Sequence, residues 1–188
     1  MDESLGHYIE RVRALRAEPL SPPATLRGVA EALGDLLSQG VQLDPTWRQL
    51  PENGHGRNLV YEDPDSGFVV VVMVWPPGAD SKPHDHGVWG AVGLLEGTLK
   101  LTDYEREDDG SDPRTARLRE TSSVVATPGA VCTVLPPYAQ YHRVENTSQD
   151  VAISLHTYER AIEECTLFDP ETGEAEVVRP VFTNLATR

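Results

Sequence analysis

A mainly β chain with a helical layer at its N-terminus is the fold class this sequence predicts. From residue 57 onward, short runs rich in β-branched and aromatic residues alternate with turn residues. Before that point, two stretches repeat apolar residues near the helical period. The 188-residue length and an apolar share of 39% fit one domain, residues 1–188, able to bury a core without disulfides.

The elements follow in order. Leu5, Ile9, Val12 and Leu15 outline a first helix, broken by Pro19, Pro22 and Pro23. Leu26, Val29, Leu33, Leu36 and Leu37 outline a second, with Ser21 and the prolines at its start and Gly40 at its stop. Trp47 falls on a further short turn, which completes a helical segment over residues 1–50. Residues 51–188 read as a β-barrel. Its strands are expected at RNLVYE, FVVVVMVW, VGLLEG, TLKLTDYE, SSVVAT, AVCTVL and VAISLHTY. Asp63 to Gly67 reads as a turn, and Asp103 to Asp112 as a solvated acidic loop at a hairpin end.

The formal net charge is −14. Such a surface repels phosphates, so nucleic acid and anionic membranes are not expected partners. A small anionic substrate is still admissible in a pocket with local positive charge. Cys132 and Cys165 are the two cysteines, too few for a disulfide framework and not spaced as a zinc site. The opening MDESLGHYIERVRALR shows no apolar signal core, and the longest apolar run, Phe68 to Trp75, is too short to span a bilayer. A reducing cytoplasm is the expected compartment.

Chemistry concentrates in the histidines at 84, 86, 142 and 156. His84 and His86 form His-x-His, which on a strand puts both imidazoles on one face. The pair alone is a weak metal signal. Its surroundings strengthen it. GADSKPHDHGVWGAVGLLEG resembles the first cupin motif, G-x5-H-x-H-x3-E-x6-G, from Gly78 to Gly97. PPYAQYHRVEN resembles the second, P-x-G-x2-H-x3-N, through Pro137, His142 and Asn146. The resemblance implies a cupin barrel, a double-stranded β-helix of jelly-roll type, with His84, His86 and His142 as metal ligands. Two positions depart: Gly90 stands where the motif has Glu, and Ala139 where it has Gly. Three neutral imidazoles leave a divalent iron its full charge and about three open positions, a donor set suited to an anionic ligand together with dioxygen. A structural zinc would take four closed ligands.

RNLV (57–60), PHDH (83–86), LLEGTLK (94–100), HRVEN (142–146), SLHTY (154–158) and ECTLFDPETG (164–173) together resemble the cysteine dioxygenase family. The similarity runs roughly from Arg57 to Gly173. It implies an iron(II) enzyme that adds dioxygen to the sulfur of L-cysteine, giving cysteine sulfinic acid. His84, His86 and His142 match the iron ligands, and Arg57 matches the arginine that grips the substrate carboxylate. Ser154, His156 and Tyr158 match a hydrogen-bonded trio that places a tyrosine hydroxyl by the iron. Their alternation along one strand puts all three on one side. Beside the metal motif, a catalytic role is preferred over ordinary buried polar pairing.

The departures bear on the substrate. The crosslinking cysteine of animal members falls on Gly90 or Ala91 here, so Tyr158 is expected to work unmodified. A tyrosine two residues before the arginine is His55 here, a candidate substrate contact. HDHGVWG is similar to bacterial 3-mercaptopropionate dioxygenases, which carry a Trp in this stretch; Trp89 is therefore a second candidate contact. Those relatives have Gln where this chain has Arg57, which favours cysteine. Expected partners are thus a small thiol and dioxygen. The alternatives are 3-mercaptopropionate or another thiol carboxylate as substrate, and, third, a non-catalytic metal-binding cupin.

Overall fold

The computed structural model describes residues 2–186. Helix α1 (Glu3–Ala17) is opened by Asp2, whose carboxylate accepts from the Leu5 N–H at 3.2 Å. Helix α2 (Pro22–Gln39) carries prolines in its first turn, where a missing N–H breaks no bond, and stops at Gly40, whose φ of 77° suits glycine. A single 3-10 turn spans Pro45–Trp47.

The strands are β1 (Gly56–Glu62), β2 (Val69–Trp75), β3 (Gly90–Glu96), β4 (Leu99–Arg106) and β5 (Leu118–Ala126). They continue with β6 (Val131–Val134), β7 (Tyr141–Glu145), β8 (Ala152–Tyr158), β9 (Cys165–Phe168) and β10 (Ala175–Val178). One sheet runs β1-β2-β8-β3-β6 and a second β5-β4-β7, with every named pair antiparallel. Residues 83–85 lie between β7 and β9. His84 exchanges backbone hydrogen bonds with His142 at 2.9 and 3.2 Å, and Phe168 donates to the Pro83 carbonyl at 2.8 Å. That ribbon joins the β9-β10 hairpin to the second sheet. The two sheets close on each other as a cupin barrel with the helices packed outside.

Strand parity explains why VVVVMVW is apolar without a break. Val70, Val72 and Val74 pack under the helices with Leu5, Val29 and Leu33. Val69, Val71, Met73 and Trp75 face the barrel interior with Leu99 and Val144. A strand covered on both faces needs apolar residues at every position. Strand β8 follows the same rule. Ile153 and Leu155 join the helix-side core, while Ser154, His156 and Tyr158 point inward. Thr157 meets the Tyr8 hydroxyl on the helix side at 2.6 Å.

Three local expectations change. The acidic stretch begins inside β4, so Asp103 to Arg106 are strand, and only the residues after them form the hairpin loop. Two strands follow β8 that the alternation did not mark, β9 and β10. His84 and His86 lie on an extended loop rather than a strand, between Lys82 (φ 54°) and Gly87 (φ 62°). Local extension is enough to keep both rings on one side.

Candidate metal centre

His84, His86 and His142 bring one nitrogen each to within 4.8 Å of one another. Their ring centroids are 4.7 to 4.8 Å apart in every pair. The backbone sets two of the rings. His84 Nδ1 lies 2.9 Å from the Lys82 carbonyl, and His86 Nδ1 lies 3.2 Å from the Gln140 carbonyl. A carbonyl only accepts, so both rings carry their proton on Nδ1 and leave Nε2 bare. His86 Nε2 is buried without a partner. Burial holds all three imidazoles below their usual pKa, so they are neutral donors. An orphaned, bare, buried nitrogen in a cluster of three is the state a divalent metal completes. No carboxylate belongs to the cluster among the described residues.

Gly90 stands where the motif places its acid, and it pairs in register with Tyr158. A Cβ added there would lie 2.6 Å from Tyr158 Cδ1 and 3.1 Å from Val134 Cγ2. The tyrosine ring thus fills the space an acidic side chain would need.

The inward face of β8 carries a continuous buried hydrogen-bond chain. Ser154 Oγ lies 2.7 Å from His156 Nε2, and His156 Nδ1 lies 2.8 Å from the Tyr158 hydroxyl. Trp75 Nε1 donates to Ser154 Oγ at 2.9 Å. Burial, then the Arg57 charge, pushes the His156 pKa down to about 3. Burial also raises the Tyr158 phenol above its usual range. Both groups are neutral.

Arg57 is 8% exposed, and no carboxylate pairs with it among the described residues. Its Nη2 is buried without a partner. The guanidinium lies over the Phe182 ring, 4.3 Å from its centroid. Arg57 therefore forms no surface salt bridge; it is a held cation with free donors facing a cavity. That cavity has a volume of about 360 Å³ and is lined by Arg57, His55, His84, His86, Tyr158 and Cys165, among others. His55 stacks on Trp75 at 4.5 Å, and burial pushes its pKa down to about 4.

Trp89 requires a correction. Its ring is 2% exposed in the helix-side core, with Arg16 over it at 5.6 Å, and it does not line the cavity. Gly90 faces Tyr158 inside the barrel, so its neighbour Trp89 must face the helices. Trp89 packs in the helix-side core and is no wall of the cavity.

Four residues at the site escaped the sequence reading of roles. Trp75 shares the parity of Val69, Val71 and Met73, so its inward position was there to be found. Cys165 lines the cavity, and burial raises its thiol to about 11. Phe182 and Thr183 belong to a tail without periodic pattern, and no local signal marks them. Thr183 bonds Arg57 twice: its N–H donates to the Arg57 carbonyl at 2.7 Å, and its hydroxyl accepts from the Arg57 N–H at 2.9 Å.

Residues 41–171 match the family model of cysteine dioxygenase type I. The chain is 31% identical over 132 residues to cysteine dioxygenase type 1 of Danio rerio, covering 67% of this chain and 61% of that protein. It is 28% identical over 156 residues to cysteine dioxygenase type 1 of Homo sapiens, covering 78% and 73%. Among solved structures, a cupin 2 conserved barrel domain protein from Rhodopseudomonas palustris aligns over 65% of this chain and 74% of that one, at 16% identity and a TM-score of 0.47.

Proposed function

Because the chain belongs to the cysteine dioxygenase type I family, we propose that it is an iron(II)-dependent thiol dioxygenase whose substrate is L-cysteine. The observation that carries this reading is a cluster of three neutral imidazoles without a carboxylate, two of which, His84 and His86, line one cavity with a buried arginine that has no acidic partner. His84, His86 and His142 are the residues that would hold the iron. Iron(II), when bound, supplies a meeting point for thiolate and dioxygen and a positive charge that favours thiolate over thiol.

The rest is done by the protein's own side chains. Arg57 donates to the substrate carboxylate through its free N–H groups, a charge-assisted contact with directional geometry. Phe182 packs against that guanidinium, and Thr183 fixes the Arg57 backbone beneath it. With its carboxylate held, a thiol acid presents sulfur to the three histidines, and this placement is a large part of the rate. Tyr158 holds its hydroxyl at the cavity wall, where a proton can be offered to oxygen as it transfers to sulfur. Both oxygen atoms end on sulfur, the thiol is oxidised to the sulfinic acid, and no external reductant is consumed.

The case for 3-mercaptopropionate leaned on Trp89, which lies outside the cavity. A passive metal-binding cupin has no use for an unpaired buried arginine beside a tyrosine held by His156. A panel of small thiols tests the reading. Protein supplied with iron(II) and oxygen should convert cysteine to a product two oxygen atoms heavier. A higher kcat/KM with 3-mercaptopropionate would replace cysteine as substrate. No oxygenated product with any thiol would sink the activity.

A further inference from the structure

The hydrogen-bond chain behind Tyr158 has a direction. Trp75 Nε1 lies 2.9 Å from Ser154 Oγ in a buried contact. An indole nitrogen only donates, so the serine oxygen accepts from it. His156 is neutral and carries a single ring proton. Two arrangements of the remaining protons are open. In the first, Ser154 donates to His156 Nε2, Nδ1–H donates to the Tyr158 oxygen, and the phenol proton is left over for the cavity. In the second, Nε2–H donates to Ser154, Tyr158 donates to Nδ1, and the serine proton needs a further acceptor. Among the described residues Ser154 Oγ has no third partner. Beside it lies an apolar hollow of about 190 Å³, walled by Val92, Leu94, Leu99, Leu101 and Val124. A buried hydroxyl proton without an acceptor is disfavoured, so the first arrangement holds.

We propose that Trp75 is a positioning residue: by donating to Ser154 it fixes His156 in the Nδ1–H tautomer and commits the Tyr158 hydroxyl proton to the cavity. The use of that proton in oxygen transfer rests on the thiol dioxygenase reading; the tautomer itself does not.

Nitrogen-15 NMR of histidine-labelled protein, metal-free and zinc-loaded, reads the tautomer without thiol or oxygen present. His156→Gln identifies the signal among the six histidines. The native protein should show His156 with Nδ1 protonated and Nε2 bare; the opposite pattern overturns the proposal. Trp75→Phe keeps an aromatic ring against His55 and leaves space for a water in place of the donor-only N–H. Water accepts as well as donates, so both arrangements become available. The second tautomer should then appear, and kcat should fall about tenfold with the cysteine KM little changed. An unchanged tautomer with unchanged kcat overturns the role of Trp75. Should Trp75→Phe fail to fold, Ser154→Ala cuts the same link and is judged by the same two readouts. A native Nδ1–H tautomer in a protein that oxidises no thiol would count against the dioxygenase reading alone.

Discussion

Arg57 places an unpaired buried cation at the cavity. A guanidinium 8% exposed, with a buried Nη2 left unpaired, is a costly arrangement unless an anion completes it. Charge-assisted hydrogen bonds contribute about 1.5–3 kcal/mol each. Arg57→Gln should therefore raise the cysteine KM by roughly 10- to 100-fold, converting that range at about 1.4 kcal/mol per decade. The KM of cysteamine, which lacks the carboxylate, should barely move; equal losses for both thiols would remove Arg57 from carboxylate binding. Gly90 bears on the site through the Tyr158 ring it abuts. Alanine there places a Cβ 2.6 Å from the Tyr158 ring, so the ring must shift. Gly90→Ala should lower kcat and cost about 1–3 kcal/mol in denaturant unfolding, the usual range for overpacking. A variant with native kcat would show that the ring position is not critical.

Two elements position the site, and only one was legible beforehand. Strand β8 was readable because Ser154, His156 and Tyr158 alternate with Ile153, Leu155 and Thr157, and period-two patterning is a local signal. An unbroken β-branched run marked β2, and the two cupin-like motifs placed the histidine-bearing segments in order along the chain. Local patterning could not mark the tail at Phe182–Asn184. That segment works by long-range pairing along the outer edge of β1. Asn184 accepts from the Leu59 N–H at 3.0 Å and donates to its carbonyl at 2.9 Å, while Thr183 bonds Arg57. Side chains that satisfy a strand edge leave no periodicity in the sequence. The grouping of His84 with His86 was legible through their spacing, but their loop setting was not, because the ribbon at 83–85 is shaped by β7 and β9 from distant parts of the chain. Trp89 was misread for a related reason: a residue type shared with a relative does not report which face of the strand it takes. The tail gives its own prediction. Phe182→Leu should raise the cysteine KM several-fold, as expected for a cation–π contact of about 0.5–2 kcal/mol. Phe182→Trp should restore it; a KM unmoved by Leu would leave the tail as packing only.

Across the whole molecule, buried neutral histidines tie stability to pH. His156 has its pKa lowered from 6.5 to about 3 by burial, then by Arg57. Its unfolded form takes up a proton first as pH falls. The stabilisation is therefore complete above about pH 6.5 and is lost as pH drops toward about 3. The slope is about 1.4 kcal/mol per pH unit for one proton. Urea unfolding of metal-free protein should show a decline across that window, and His156→Gln should make it shallower by about 1.4 kcal/mol per pH unit, with His55, His84, His86 and His142 contributing the remainder. A stability that stays level down to pH 4 would mean His156 is not held neutral. The net charge of −14 adds a second global effect. On the proposed function, approach of an anionic thiol would work against the overall field, and the local cation at Arg57 would have to win at short range.

The proposed reaction puts both atoms of dioxygen on sulfur, and isotopically labelled dioxygen reads out that step. Native protein with iron(II) and L-cysteine should yield cysteine sulfinic acid carrying two labelled oxygens, and a His86→Ala variant, lacking the buried bare Nε2, should yield none. Cysteine recovered unchanged or only as its disulfide, or a product with a single labelled atom, would contradict the assignment of this three-histidine cavity to thiol dioxygenation.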